Sequence, residues 1–135
     1  MFKDKIEEMS YTEVLQVTTD SYNKQMPTIS IIPYIGLNQL AEYVYPELTA
    51  LCPMTGLPDT YTVHIILEPK EHLPELKSLK EYFTAYRDLP ISHEHLASKI
   101  YKEIEETVEP QALTVKLDVA IRGGIKTDIT IGGHP

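Results

Sequence analysis

The chain has 135 residues, 42% apolar and 24% charged, with a formal net charge of −8. That size suits one globular domain able to withdraw about 65–70% of its unfolded-chain surface from water. No apolar run approaches the roughly 18 residues a membrane span needs, Lys3, Asp4, Lys5, Glu7 and Glu8 interrupt any apolar leader, and the acidic balance opposes a broad polyanion-binding surface, so the expected protein is cytoplasmic, with no membrane or direct nucleic-acid partner.

Residues 1–45 carry the weakest pattern and read as an amino-terminal extension. Residues 13–19 and 28–32 have strand character, punctuated by Pro27, Pro33 and Gly36. Residues 37–44 suit a short helix or the approach to a strand. Beyond a Pro- and Gly-marked loop at 52–58, residues 60–67 are rich in β-branched and aromatic side chains and stop at Pro69, which predicts a strand.

Leu76, Leu79, Phe83 and Tyr86 then recur at three- and four-residue steps, predicting an amphipathic helix that ends near Asp88. Ser92 is the expected N-cap of a second helix with a core stripe of Leu96, Ile100, Ile104 and Val108. Its carboxyl-terminal acids, Glu105, Glu106 and Glu109, oppose the helix dipole. Finally Leu113, Val115, Leu117, Val119 and Ile121 alternate with polar residues, as do Ile125, Thr127, Ile129 and Ile131 beyond Arg122-Gly123-Gly124. This predicts a hairpin with one apolar face. Strands, two successive helices and a hairpin make an α+β fold: an antiparallel sheet with both helices on one face, whose open edges favour a homo-oligomer.

Cys52 is the sole cysteine, so it closes no internal disulfide and supplies no multi-cysteine zinc site. A lone cysteine is commonly a small buried hydrophobe. Here it stands in an irregular loop, where catalytic groups concentrate, and Asp59 follows seven residues later. Asp59 reads either as a turn residue or as a proton donor for chemistry at the thiol.

His93 and His95 lie two apart at a helix start and face different ways, unlike the i, i+4 pair of a metal site. No metal is expected. Glu94 is a first-turn acid suited to the dipole, or an acceptor for the adjacent ring N–H and amine of a guanine-like base. Lys77 and Lys80 share one side of the first helix, either as a solvated face or, with Ser78 and the helix amino terminus, as a phosphate site. Arg122 is a candidate third cation.

Four blocks in order resemble the NADPH-dependent 7-cyano-7-deazaguanine reductases of queuosine biosynthesis, the QueF nitrile reductases. They are residues 47–59 (ELTALCPMTGLPD), residues 75–83 (ELKSLKEYF), His93-Glu94, and Arg122-Gly123-Gly124-Ile125. The resemblance makes 46–132 the core of a single domain spanning 1–135. It implies a tunnelling fold (T-fold) that assembles through sheet edges into an oligomeric barrel, in the single-module branch typically a decamer of two pentameric rings with active sites between subunits.

It also implies that Cys52 captures the nitrile of 7-cyano-7-deazaguanine as a covalent thioimide, with Asp59 as general acid and base. Glu94 would anchor the base and His93 close the pocket or assist proton transfer, while Lys77, Ser78 and Lys80 contact the phosphates of NADPH, two of which are consumed. The resemblance breaks at Leu96, where several relatives carry a second cysteine, at Pro90 and Ser92, which replace a longer polar loop, and across the amino-terminal third.

Two other readings belong to the same likeness. One is the archaeal amidinotransferase branch, which acts on a cyano-deazaguanine base already in tRNA and lacks the lysine motif present at 75–83. The other is a purine- or pterin-binding or pterin-processing module; a processing enzyme would need more metal ligands than Cys52 and the scattered His64, His72, His93, His95 and His134 offer.

Overall fold

The computed structural model describes residues 9–133. The acidic and basic residues at 3–8 and His134 lie outside the described residues. Chain order is α1 (Tyr11–Asn23), β1 (Ile31–Pro33), β2 (Ala41–Leu51), β3 (Pro58–Glu68), β4 (His72–Pro74), α2 (Leu76–Thr84) continued by a 3₁₀ turn (Ala85–Asp88), α3 (His93–Val108), β5 (Ala112–Val119) and β6 (Asp128–Gly132). β2, β3, β5 and β6 form one antiparallel sheet in that order, and β1 pairs with β4 in a small separate ribbon. No described helix is long and apolar enough to cross a membrane.

The core follows from strand alternation. Tyr61, Val63, Ile65 and Leu67 of β3 pair with Val119, Leu117, Val115 and Leu113 of β5, and all eight side chains are buried on one face. Against that face lie Leu96, Ile100, Ile104 and Val108, the stripe expected of the second helix, each fully buried. Leu79, Phe83 and Tyr86 of the first helix are buried with them, but Leu76 is 62% exposed. The period places Leu76 on the stripe's edge, in the first turn, where no neighbouring element covers it.

The amino-terminal reading is corrected: residues 13–19 are helical. A capping box explains it, since the Ser10 hydroxyl accepts from the Glu13 N–H at 3.2 Å while the Glu13 carboxylate accepts from the Ser10 N–H at 3.3 Å. That local pair and docking on α3 outweigh the β-branched Val14, Val17, Thr18 and Thr19. Buried Lys99 donates to Tyr22 O and Lys24 O, both at 2.7 Å, and to the Glu103 carboxylate at 3.1 Å. Glu103 accepts in turn from the hydroxyls of Tyr82 and Tyr86. Of the expected strand at 28–32 only Ile31 and Ile32 lie in a strand, β1, and of residues 37–44 the first four approach β2 while the rest belong to it.

The carboxyl-terminal hairpin is also shorter than its apolar alternation. β5 stops at Val119 and β6 starts at Asp128, leaving Ile121 and Ile125 exposed outside the strands. Asp118 and Asp128 face each other at the last register pair. The Lys126 ammonium sits between them, at 2.5 and 2.6 Å, and also donates to Val119 O. That cation offsets the two facing carboxylates, and beyond it the tip turns tightly at Gly123 and Gly124, φ 64° and 80°.

Candidate active site

Cys52 is held by its backbone on both sides. Its N–H donates to Leu57 O and its carbonyl accepts from Gly56 N–H, each at 2.8 Å, closing the β2–β3 connection into a compact loop. Gly56 has φ 74°, a conformation that favours glycine. Asp59 stands opposite Ala50 in the ladder, and both are buried on the helix-facing side. The alternation that turns Ala50 inward carries the half-buried Cys52 to the same side.

A second tie brings the next block alongside. Leu51 N–H donates to Leu89 O and Ile91 N–H to Leu51 O, both at 2.9 Å. In this short parallel bridge Leu51 bonds the residues on either side of Pro90, so proline's missing N–H is not needed. The chain emerges beside the cysteine loop, and Ser92 then caps α3 by accepting from His95 N–H. His93 is thereby half-buried next to β3, with Nδ1 2.7 Å from the Tyr61 hydroxyl. Glu94 is exposed in the first helical turn, with no hydrogen-bond partner among the described residues.

Two residues of the site were not singled out as such by the sequence reading. Tyr61 lies two residues beyond Asp59, 2% exposed. Burial first, then the negative charges of Asp59, Cys52 and Glu94, push its ionisation well above tyrosine's ordinary value, while Arg122 opposes them. Arg122, expected to serve a phosphate, instead reaches back from the curled hairpin tip. One guanidinium nitrogen lies 3.2 Å from Asp59 Oδ1 and the other donates to Pro58 O at 2.7 Å. The carboxylate it meets is 6% exposed. Strand parity was the available signal for Tyr61; Arg122 stood in a resembling block as a candidate phosphate cation, but nothing local announced its pairing with Asp59.

The histidines do not converge. His64 pairs with Glu42 at 3.1 Å and His95 with the Ser92 hydroxyl at 2.6 Å.

The lysine motif occupies a different place. Glu75 caps α2 by accepting from the N–H groups of Lys77 and Ser78, at 2.7 and 2.9 Å, and those bonds hold its carboxyl below the ordinary carboxylate range. The Ser78 hydroxyl is buried, donates to Glu75 O and accepts from Ser30 N–H, tying α2 to the chain entering β1. The expected anion-binding amides and hydroxyl are therefore already engaged. Lys77 and Lys80 are exposed and line a surface recess of about 450 Å³ with Glu81, Thr84 and Ala85.

Lys80 also borders Tyr43, Val44 and Tyr45 of β2. Cys52 follows the far end of that strand, seven to nine residues on, or about 23–30 Å at 3.3 Å per residue. The motif and the thiol are thus at opposite ends of one strand.

Comparison with known proteins adds an independent line. The family model described as QueF-like protein matches residues 58–134. The NADPH-dependent 7-cyano-7-deazaguanine reductase of Chlorobaculum parvum is 42% identical over 109 residues, 81% of this chain and 94% of its own. The enzyme of the same name from Caldicellulosiruptor bescii is 40% identical over 96 residues, 71% of this chain and 73% of its own. Among solved structures, the apo archaeosine synthase QueF-Like superposes with a TM-score of 0.65 at 20% identity, covering 71% of this chain and 96% of that one. At that identity the likeness speaks for the fold alone.

Proposed function

The chain belongs to the QueF-like family, and on that premise we propose that it is an NADPH-dependent nitrile reductase converting 7-cyano-7-deazaguanine to 7-aminomethyl-7-deazaguanine. The observation that carries the reading is the grouping of Cys52, Asp59, His93 and Glu94 at one end of the sheet through the β2–β3 loop and the Leu51–Pro90 bridge.

Asp59, a carboxylate beside Arg122, takes the proton of the Cys52 thiol, and the thiolate adds to the nitrile carbon: the C–S bond forms, one C–N π bond opens, and Asp59 passes that proton to the nitrogen to give a thioimide. Reduction of the C=N bond, release of the thiolate and a second reduction yield the amine. When bound, NADPH supplies the two hydrides, four electrons in all. Asp59 delivers and is resupplied with protons, and Arg122 holds its carboxylate in place. Glu94, exposed and unpartnered, accepts from the ring N–H and exocyclic amine of the base. Lys77 and Lys80 fit the cofactor's phosphates as free cations beside an open recess, with Ser78 holding the motif's shape.

The two open sheet edges, β2 and β6, support a tunnelling-fold homo-oligomer closed edge to edge. So does the separation along β2. A cofactor held at Lys77 and Lys80 meets a thiol more readily across a subunit boundary than within one chain. The net charge of −8 favours the free base over a tRNA-borne one, as does the lysine motif.

The test is to incubate the protein with 7-cyano-7-deazaguanine and NADPH and follow the nicotinamide absorbance. Two NADPH are consumed per base, and Cys52→Ala consumes none. A stable nitrile adduct on Cys52 without NADPH oxidation would instead point to the amidinotransferase reaction, and neither adduct nor turnover would refute both.

A further inference from the structure

The Tyr61 hydroxyl lies within the site yet has no part in the steps above. It is buried, it lies 2.7 Å from His93 Nδ1, and the two rings meet edge to face with centroids 5.4 Å apart at 76°. Among the described residues His93 Nδ1 is its one hydrogen-bond partner.

The direction of that bond follows from what surrounds it. Asp59 and Cys52 come from the β2–β3 side, Glu94 from the start of α3, and Arg122 from the hairpin tip. Three of these four carry or develop negative charge, and Tyr61 is only 2% exposed. A phenolate there is disfavoured, so the oxygen keeps its proton through the neutral range. The hydroxyl then has a proton to give, and Nδ1 of a neutral imidazole accepts it. A ring that accepts at Nδ1 carries its own proton on Nε2.

We propose that Tyr61 is a positioning residue that holds His93 by Nδ1 and so presents Nε2–H as a hydrogen-bond donor to the bound nitrile substrate. This rests on the reading of His93 as part of the reductase site. It also gives His93 a defined chemistry: Nε2–H stabilises the nitrogen as negative charge develops on it, leaving net proton delivery to Asp59. The bond survives a change of charge, because a tyrosine hydroxyl accepts from Nδ1–H if the imidazole becomes protonated.

The experiment is ¹⁵N-histidine NMR of the whole protein at alkaline pH, with His93 assigned by loss of its signals in His93→Asn, paired with kinetics of Tyr61→Phe. The wild type shows a protonated-type Nε2 and an unprotonated-type Nδ1, and Tyr61→Phe shows a mixture of tautomers. That variant lowers kcat about 10-fold, less than the roughly 10²–10⁴-fold a positioned acid–base group contributes because His93 itself is retained, with KM for NADPH unchanged. In a His93→Asn background the same substitution has no further effect on kcat.

A wild-type spectrum with Nδ1 protonated overturns the proposal even if Tyr61→Phe does not fold. An equal fall in kcat with and without His93 overturns it too, since Tyr61 would then act by another route. Wild-type protein that oxidises no NADPH but shows the expected tautomer sinks the reductase reading and the catalytic half of the proposal, while the hydrogen-bond assignment stands.

Discussion

Replacing Arg122 with methionine tests whether the hairpin tip is a structural part of the active site. The Asp59 side chain is 6% exposed and that of Arg122 38%, and this pair is the carboxylate's only ion pair among the described residues. Removing one partner of a fully buried pair costs about 3–5 kcal/mol, because a charge is left without compensation. Water reaches the guanidinium here and screens part of its field, which lowers the expectation to about 1–3 kcal/mol. At roughly 3–5 °C per kcal/mol for a domain of this size, Tm falls measurably.

The assay is a double-mutant cycle by urea unfolding with Asp59→Asn, which removes the charge and keeps the shape. In that background Arg122→Met costs less than about 0.5 kcal/mol from the ion pair, and the bond from Arg122 to Pro58 O, lost on both sides of the cycle, cancels. Equal costs in both backgrounds would show that Arg122 packs the tip without compensating Asp59, and the reasoning would be wrong.

Two further outcomes follow from helix ends. Glu109 caps α3 at φ 52°, ψ 54°, a left-handed conformation that crowds a Cβ, and it adds a negative charge at the negative end of the dipole. Glu109→Gly is expected to stabilise the protein by about 1 kcal/mol, glycine's greater unfolded-state freedom having been subtracted; a fall in the urea midpoint would contradict this. At the start of α2 the Glu75 carboxyl titrates below its unfolded value, so its stabilising effect is complete above about pH 4.3 and fades as pH falls through the lower, folded value. Glu75→Gln therefore lowers stability at pH 7 and changes little at pH 2, read as urea midpoints at both.

How much of this was legible in the chain depended on whether the decisive contact was local. The stripe Leu96, Ile100, Ile104, Val108 and the cap at Ser92 were readable because each interaction lies within one helix. Strand β3 was readable because its inward residues alternate without interruption from Asp59 to Leu67. Helix α1 is the exception: its Ser10–Glu13 capping box is a local spacing that stands in the sequence, and the misreading came from weighing the β-branched Val14, Val17, Thr18 and Thr19 above it.

The candidate site divides the same way. Cys52, Asp59, His93 and Glu94 stand in recognisable blocks, but the tie that assembles them, Leu51 to Leu89 and Ile91, is backbone to backbone and carries no residue signature. Arg122 meets Asp59 through the curled tip beyond β5, a contact between residues far apart in the chain that no local pattern announces. The Ser78 hydroxyl was open to a phosphate reading until its bond to Ser30 was visible.

The same distance reasoning leads to a test of the proposed assembly. Lys80 borders Tyr43 to Tyr45, and the thiol lies beyond the other end of β2, about 23–30 Å away along the strand. If one cofactor bridges both, the lysines and the thiol of a working site belong to different copies. Cys52→Ala and the double variant Lys77→Glu, Lys80→Glu should each be inactive as pure oligomers, the second through loss of NADPH binding. Unfolded and refolded together in equal amounts, they should regain activity, because some boundaries then unite an intact thiol with intact lysines. In a head-to-tail ring with random mixing, a given boundary needs one particular variant on each side, so about a quarter of wild-type activity should return. Each variant refolded alone is the control. No recovery from mixed oligomers whose masses confirm both chains would place thiol and lysines in the same subunit or remove the lysines from the cofactor site, and the cross-boundary arrangement would have to be abandoned.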